Sequence, residues 1–519
     1  MAAIITDDFR RNQARLLVND IKASADSNFD SPASNSVETS WPYRGNNRYA
    51  IGLGKADTWA NDANDVAEDA TAFIIPAPDG TIQEDHDIIN NLFTLKDIAG
   101  ANVKQLIAKN AWTSGRKYKV YDQSDDDMFY TTGDLYPSVV TVGSSIYMCL
   151  SNTAINGGFT TVLQSTTTPS ASSFALSTPA QGYVWAHVAS FDSNDSLATN
   201  QFSPVNVQSP TVVQIDKTGG LLTHIGVTNG GSGYTTPPTV TLTLVTAAGV
   251  KIPSTAISAI AVVESGVITR IDIRDVSSNL LHAGSYEYWT SEASGFLEVE
   301  ASKAGRIASA TVSITGGGGS GATAYASIAP ISGFGKNALD ILPTWFVGIH
   351  TDFDGSETDG DAPTLNFRQV SLLKNFATTG GEGDSDTGIL DCLNSITITG
   401  TVSAAIGNLT EGDVLVAGDS KFYFNYYDSG TSKIYYHQNS NSDVNMIIPP
   451  AIGTQAVVTT DASPVTIATD ITAVDFSAEY NIFGASPNKR NGEVIFQENR
   501  QPFGRSTSQT EEVKLIIQL

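Results

Sequence analysis

Carboxylates are the residues of this chain whose spacing comes nearest to a chemical site. Six residues with potential ligand groups fall close together: His350, Asp352, Asp354, Glu357, Asp359 and Asp361. Carboxylates that alternate in a Gly-rich loop can bind Ca²⁺, but the sixth-position Gly and the closing Glu of the calcium loop are misplaced here. We therefore interpret the segment from Asp352 to Asp361 as a solvated loop. The alternatives are a Ca²⁺ site, or a transition metal bound through His350.

Other acidic groups are weaker candidates. Two repeat the cation-binding pattern, namely Asp122 with Asp125, Asp126 and Asp127, and Glu382 with Asp384 and Asp386. Glu298 and Glu300 are same-face neighbours if they lie on a strand, and a carboxylate pair can hydrolyse a glycosidic bond. Such neighbours are common in strands, so a polysaccharide-degrading enzyme that uses Glu298 is kept only as an alternative.

The Gly-rich segment 316–321 has the G-x-G-x-x-G spacing of a dinucleotide-binding loop. That loop requires a following helix, whose N-terminal amides hold the pyrophosphate. Residues 322–328 instead alternate in the manner of a strand. The segment is therefore predicted to be a β-turn without a nucleotide.

Histidine and cysteine show no catalytic pattern. The six histidines are scattered: His86, His187, His224, His282, His350 and His437. None lies in a His-x-x-x-His or Ser/His/Asp signature. Cys149 and Cys392 are far apart, which argues against a disulfide framework or a zinc site and predicts two reduced thiols. We expect no enzyme, and we assign no catalytic, cofactor-binding or metal-binding residue.

Aromatic residues are concentrated at 422–436. A hairpin is predicted there, with its turn at 428–430 and with Phe422, Phe424 and Tyr426 on one face. An exposed aromatic face suits a sugar ring, which would make the chain a carbohydrate-binding or adhesion protein. Aromatic pairs more often fill the core of a sandwich, and that interpretation is preferred.

The composition of the 519 residues excludes several classes of function. With 29 Lys+Arg against 54 Asp+Glu, the net charge is −25, which would repel a nucleic acid. No run of 18 apolar residues occurs, so no membrane-spanning helix is expected. The acidic start at Asp7 and Asp8 does not fit a signal peptide, and we expect synthesis in a cytoplasm.

The residues that could position these groups form mostly strand patterns. Thr6 or Asp7 can cap a head helix with one apolar side: Phe9, Leu16, Leu17 and Ile21. A weaker helical pattern covers 101–109. Residues 48–54 read as a strand, and further strands are predicted at 117–121, 139–150, 239–245, 311–315, 422–427 and 433–437. The expected fold is mainly β: a layered β-sandwich core with a short N-terminal helix and inserted small β domains.

A repeat suggests how the chain is divided. Three copies of one pattern (Gly, two long residues, a small polar residue, then alternation) begin at Gly220, Gly266 and Gly305. Such periods indicate β units that bury their apolar faces against one another. The predicted divisions are 1–218 (N-terminal core), 219–330 (inserted repeat module), 331–397 (core segment), 398–472 (inserted module with the aromatic hairpin) and 473–519 (C-terminal core strands).

The order of short motifs along the chain resembles one family. The matching stretches are 4–10, 51–59, 182–185, 366–371, 492–502 and 509–519. The most specific is Gly492-Glu-Val-Ile-Phe-Gln-Glu-Asn-Arg-Gln-Pro502. In these stretches the chain resembles the gene-product-eight baseplate wedge subunits of T-even-like contractile-tailed bacteriophages, enlarged by insertions. The resemblance covers the two ends and the middle, and it is not extended to 219–330 or 398–472.

The resemblance implies a structural virion protein without catalysis or cofactor. Members of the family are mainly β, form homodimers and bind other wedge proteins around the tail hub. The implied location is the tail baseplate, assembled in the host cytoplasm, with no nucleic acid, membrane or small-molecule substrate as a partner. The alternative is a fibre-like, carbohydrate-binding or adhesion protein of the tail.

The alternation in the last stretch predicts a strand. Val513, Leu515 and Ile517 would share one apolar face, which must be buried in a sheet or an interface.

Overall fold

The computed structural model describes most of the chain. The described residues are 5–25, 47, 49–55, 59, 74–152, 162–170, 183–205, 219–249, 251, 258–274, 306–331, 333–335, 338–353, 367–375, 389–399, 409, 414–417, 420–430, 432–437, 457–459, 466–467, 475–477, 492–503 and 510–519. They are mainly β, with mostly antiparallel sheets and a short N-terminal helix, which confirms the predicted fold class. In this part of the chain, no helix has both the length and the apolar character needed to cross a membrane.

Helices are few and strands are many in these ranges. The helices are α1 (Asp7–Ala25), α2 (Ile82–Asn91) and α3 (Ala338–Ile341). The strands before residue 219 are β1 (Tyr49–Gly54), β2 (Leu92–Asp97), β3 (Val103–Ala108), β4 (Lys117–Tyr118), β5 (Leu135–Tyr136), β6 (Val139–Val142), β7 (Ser145–Asn152), β8 (Tyr183–Ser190) and β9 (Phe202–Pro204).

The later strands follow in the same way. From 219 to 353 they are β10 (Leu222–Ser232), β11 (Thr239–Thr246), β12 (Ser258–Glu264), β13 (Val267–Arg274), β14 (Ile307–Thr315), β15 (Ser320–Ile328) and β16 (Phe346–Phe353). The remaining strands are β17 (Phe367–Lys374), β18 (Ile389–Asp391), β19 (Asn394–Thr399), β20 (Val414–Ala417), β21 (Ser420–Asp428), β22 (Lys433–His437), β23 (Val457–Thr459), β24 (Thr466–Ile467), β25 (Asp475–Ser477), β26 (Glu493–Phe503) and β27 (Glu511–Gln518).

The chain forms two compact units. The first comprises Met1–Arg15, Lys104–Gly348 and Ile516–Leu519, and the second comprises Leu16–Val103 and Ile349–Leu515. The first unit holds the sheets β6-β7-β8, β10-β15 and β13-β12-β11-β14. The second holds the sheets β18-β2-β1-β17-β26 and β24-β23-β20-β21-β22-β19-β25. A further sheet has the order β27-β16-β3-β9.

The sheet β6-β7-β8 is apolar on both faces. On β7, Ile146 and Met148 pack into one core cluster, whereas Tyr147 and Cys149 pack with Trp185 into another. A sheet that is covered on both sides reads as a continuous apolar run without alternation. For that reason 139–150 was predicted as one strand, although a turn at Gly143 (φ 57°) divides it into β6 and β7.

One apolar core continues from this sheet into the strands after residue 219. Leu222 of β10, Leu242 of β11 and Ile271 of β13 belong to the same cluster as Met148. The three repeat copies supply β10, β13 and β14. Strands β13 and β14 form the two edges of one sheet and β10 lies in another sheet, and all three contribute to the same core cluster. The predicted divisions of the chain stay predictions.

Helix α1 was predicted correctly, but its buried side was not. Thr6 caps it, since its Oγ1 accepts a hydrogen bond of 3.2 Å from the N–H of Phe9. Phe9 and Leu16 are 53% and 46% exposed, whereas Ala14, Val18 and Ile21 are buried. The buried side is therefore rotated about the helix axis from the predicted apolar side by about 100°, the angle between successive residues.

Two local predictions need correction. The weak helix at 101–109 is instead a 3₁₀ turn (Gly100–Asn102) followed by β3, because burial in a sheet overrides a weak helical pattern. Helix α2 was not predicted, although its capping box is visible in the sequence. The N–H of Glu84 donates to Thr81 Oγ1 (3.1 Å), and Glu84 Oε2 accepts from the N–H of Gly80 (2.8 Å).

The predicted C-terminal strand is confirmed as β27. Val513 and Leu515 are 6% and 2% exposed, and the strand lies beside β16 in its sheet. Two of the three residues of the predicted apolar face are therefore buried, and Ile517 is partly buried.

Candidate functional site

Three of the stretches that carry the family resemblance lie side by side in one sheet. Gly52 of β1 is paired with Ser371 of β17, and Ser371 is paired with Gln497 of β26. The side chain of Trp59 also donates a hydrogen bond of 3.2 Å to the carbonyl of Arg500. Stretches hundreds of residues apart in sequence therefore build one continuous sheet of the second unit.

A group of ligand side chains lies on strands β16 and β27 of the same unit. His350 and Asp352 are two residues apart on β16 and so share a face, and Glu512 on neighbouring β27 joins them. The Nε2 of His350 is 3.0 Å from Glu512 Oε1 and 3.2 Å from Asp352 Oδ1. One atom from each residue lies within 4.8 Å of the others, so the three could hold a metal ion.

Basic groups contact these carboxylates, although the sequence shows no base near the acidic stretch. Lys514 Nζ is 2.8 Å from Glu512 Oε1, and the Lys514 ammonium holds the pKa of that carboxyl below its usual range. Lys96 donates a hydrogen bond to the backbone carbonyl of Asp352. The base at Lys514 comes from the neighbouring strand, which local sequence spacing cannot reveal.

A second polar cluster forms around Asp122 in the first unit. His224 on β10 approaches Asp122 Oδ2 to 3.0 Å through Nε2, and the hydroxyl of Tyr325 on β15 donates to the same oxygen. The N–H of Ser124 donates to Asp122 Oδ1 (2.9 Å). Asp122 is only 8% exposed, so these bonds attach β10 and β15 to the loop that follows β4.

The charge state of Asp122 follows from these bonds. Burial by itself would raise the pKa of Asp122, but the hydrogen bonds from His224, Tyr325 and Ser124 outweigh it and lower the pKa. Burial and the bond to Asp122 raise the pKa of Tyr325, which therefore stays a donor. The Asp122 carboxylate is therefore an anion stabilised by three hydrogen-bond donors. Such an arrangement fastens the loop to β10 and β15.

The neighbouring acids are also used within the protein. Asp125 Oδ1 accepts a hydrogen bond of 2.9 Å from the N–H of Asp127. Asp127 in turn contacts Lys119 Nζ at 3.3 Å and accepts a bond of 2.6 Å from Thr132. Asp125 and Asp127 are therefore held by groups of the same loop and by Lys119.

The Gly-rich segment is a turn followed by a strand, as predicted. It joins β14 to β15, and no helix follows it. Gly316, Gly317 and Gly318 have φ values of 79°, 74° and 80°, which only glycine adopts readily. At Gly317 a Cβ would also lie 2.7 Å from the carbonyl oxygen of Thr236.

A cleft of about 340 Å³ lies next to the Asp122 cluster, lined by Tyr121, Gln123 and residues of β14 and β15. Burial raises the pKa of Tyr121 to about 12. The lining residues include no carboxylate, imidazole or thiol. The cleft thus lacks the pair of titrating groups that acid–base catalysis requires.

Both cysteines are buried, and neither forms a disulfide. Burial raises the pKa of the Cys149 thiol, so the reactive thiolate is not formed near neutral pH.

Several predicted candidates cannot be placed. They lie outside the described residues: Glu298, Glu300, Glu382, Asp384, Asp386, His282 and the acidic residues 354–361.

The aromatic hairpin is confirmed as β21 and β22, with Asp428 paired to Lys433. A register shift between Phe424 and Tyr426 breaks the predicted alternation. The rings of Tyr426 and Tyr435 stack at 4.2 Å between centroids and 9° between planes, and Tyr435 is 5% exposed. One face of Tyr426 is therefore covered by protein, which favours a packing role over a sugar platform.

Replacing Tyr426 by alanine should lower the free energy of unfolding by about 1–2 kcal/mol, because one partner of a stacked and half-buried pair is lost. Tyr426→Phe keeps the ring and should cost less. Urea unfolding of both variants checks this, and a glycan array run in parallel should show no specific binding by the parent chain. Specific glycan binding that Tyr426→Ala abolishes would instead support the adhesion alternative.

The sequence did not predict three of the residues that complete these clusters. Glu512 was noted only as part of a strand, His224 only as a scattered histidine and within a repeat copy, and Tyr325 only within a strand pattern. Their alternation placed them on strands but did not identify the strand across from them.

In comparisons with known proteins, no family model and no curated relative matches the chain.

Proposed function

We propose that the chain is a structural subunit of the baseplate wedge of a contractile-tailed bacteriophage. It acts by the shape and stiffness of its β layers and not by catalysis. The observation that carries this proposal is the adjacency of β1, β17 and β26, which hold three of the stretches on which the family resemblance rests. These strands bring the three resembling stretches together in one five-stranded sheet of the second unit.

The packing of the core supports a structural role. The sheet β6-β7-β8 is buried on both faces, and its core continues into the sheets of β10–β15. Interiors packed in this way are stiff and have low compressibility. A subunit that transmits force during tail contraction needs this property more than it needs a deep cleft.

The surface suits ordered assembly with specific partners. A net charge of −25 disfavours non-specific association, so binding would depend on complementary patches. The proposed partners are a second copy of the chain, as a homodimer, and other wedge proteins. The proposed location is the virion tail, after assembly in the host cytoplasm.

Deleting the gene from its phage should stop tail assembly, because neighbouring wedge proteins would lose their contacts. Electron microscopy of the lysate should then show heads without contractile tails, and the full chain supplied in trans should restore them. Asp126→Asn, at an exposed position, is the matched variant that should also restore them. Normal tails from the deletion mutant, or absence of the chain from purified tails, would contradict the proposal.

A further inference from the structure

We propose that His350, Asp352 and Glu512 bind a divalent first-row transition ion, for which Zn²⁺ is the probe. The site would join β16 to β27. This inference concerns the second unit alone and does not depend on the proposed virion function.

The distances fit such an ion. A tetrahedral zinc with bonds of about 2.0–2.1 Å separates its ligand atoms by about 3.3 Å. The Nε2 of His350 lies 3.0 Å from Glu512 Oε1 and 3.2 Å from Asp352 Oδ1. Small side-chain adjustments would therefore place all three atoms around one ion.

The state of His350 points to a missing ligand independently of the carboxylates. Its side chain is 8% exposed, its Nδ1 is buried with no hydrogen-bond partner among the described residues, and its Nε2 contacts the two carboxylates without good hydrogen-bonding geometry. A buried polar atom without a well-formed hydrogen bond destabilises the folded state. The Nε2 faces the two carboxylates. An ion held between the three residues would therefore accept the lone pair of Nε2.

The ligand types decide which ion fits. Ca²⁺ and Mg²⁺ take oxygen ligands, whereas an imidazole with carboxylates suits Zn²⁺ and neighbouring transition ions. A neutral imidazole and two carboxylates carry a charge of −2, which a divalent ion balances. The Lys514 ammonium, 2.8 Å from Glu512 Oε1, already occupies the edge of this negative region.

A bound ion would have a mechanical consequence. It would link β27 to β16 through two coordination bonds from β16 and one from β27. Because the ion binds the folded state, it would also stabilise that state, by an amount that grows with the logarithm of the ion concentration above the dissociation constant. The chain would then gain thermal stability from Zn²⁺.

Titration calorimetry with Zn²⁺ on the chelator-treated, tag-free full chain tests the proposal. We expect saturable binding of one ion, and a visible d–d absorption band when Co²⁺ replaces Zn²⁺. His350→Gln and Glu512→Gln should each weaken binding by at least about tenfold, since even residues that only support a ligand change affinity by that factor. His86→Gln, which removes an exposed histidine, should bind as the parent does.

The melting temperature provides a second measurement. Zn²⁺ should raise it for the parent and His86→Gln, and not for Glu512→Gln. If circular dichroism shows that His350→Gln is unfolded, the half-exposed Glu512 decides the question by itself. No saturable binding by the parent, or equal binding by the parent and Glu512→Gln, would overturn the proposal and leave an ion-pair cluster only.

Discussion

Replacing Asp122 by alanine is expected to lower the free energy of unfolding of the first unit by about 3 kcal/mol. The buried carboxylate accepts bonds from His224, Tyr325 and the N–H of Ser124, and its loss leaves these donors without their acceptor. Removing one member of a buried charged group costs about 3–5 kcal/mol, and His224 is partly exposed, which places the loss at the lower end. Urea unfolding and amide exchange at β10 and β15 measure it.

The same variant should change how stability depends on pH. The pKa of Asp122 is lower in the folded chain than in the unfolded chain, where it is about 3.9. Such a carboxyl contributes stability above the unfolded pKa, and the contribution is lost as the pH falls through the folded pKa. The difference in the free energy of unfolding between the parent and Asp122→Ala should therefore have its full value at pH 5. It should become smaller below about pH 4.

Asp126→Asn is the matched control, since it removes an equal charge from an exposed position in the same loop. It should change stability by less than about 0.5 kcal/mol at either pH. An equal effect of the two substitutions would show that net charge, and not the bonds to His224 and Tyr325, accounts for the loss.

Replacing Gly54 by valine is expected to lower the free energy of unfolding of the second unit by about 3–4 kcal/mol, at or above the usual range for overpacking. A Cβ at this position would lie 2.8 Å from the carbonyl oxygen of Asn91 and 3.2 Å from the Cα of Leu92. These are backbone atoms, and they cannot rotate away. The same carbonyl accepts a hydrogen bond of 3.1 Å from the N–H of Lys55, so β1 would separate from β2.

Gly52→Ala on the same strand is the control for this argument. Its Cβ would meet the ends of side chains, namely the Cδ2 atoms of Leu92 and Leu95 and the Oγ of Ser371. Side-chain ends can shift, so a loss of about 1–2 kcal/mol is expected. Urea unfolding of Gly54→Ala and Gly52→Ala, which add the same methyl group, separates a clash with backbone atoms from a clash with side-chain ends. Equal losses would mean that the backbone of Asn91 yields as easily as a leucine side chain.

Local periodicity predicted the fold class and part of the secondary structure. The β class, helix α1, the hairpin of β21 and β22, and strand β27 are all visible in the spacing of apolar residues. The errors arose where burial overrides spacing. The buried side of α1 is set by Ala14 and Val18, and not by the larger Phe9 and Leu16, because the surrounding chain covers that side.

The candidate sites were much less predictable. His350 and Asp352 could be singled out because they are neighbours on one strand. Their third partner, Glu512, lies far away in sequence and contacts them only because β27 lies beside β16. Asp122 is a comparable case, because it was noted as part of an acidic run and is instead the acceptor for donors on β10 and β15.

The sequence by itself determined the local conformation of the strands and of the head helix, together with the strongly negative charge. Only the tertiary structure decided which strands became neighbours, and so which carboxylates, imidazoles and hydroxyls meet. The physical reason is the sequence separation over which each interaction acts. Alternation and capping depend on residues a few positions apart, whereas strand pairing follows from burying apolar surface summed over the whole chain.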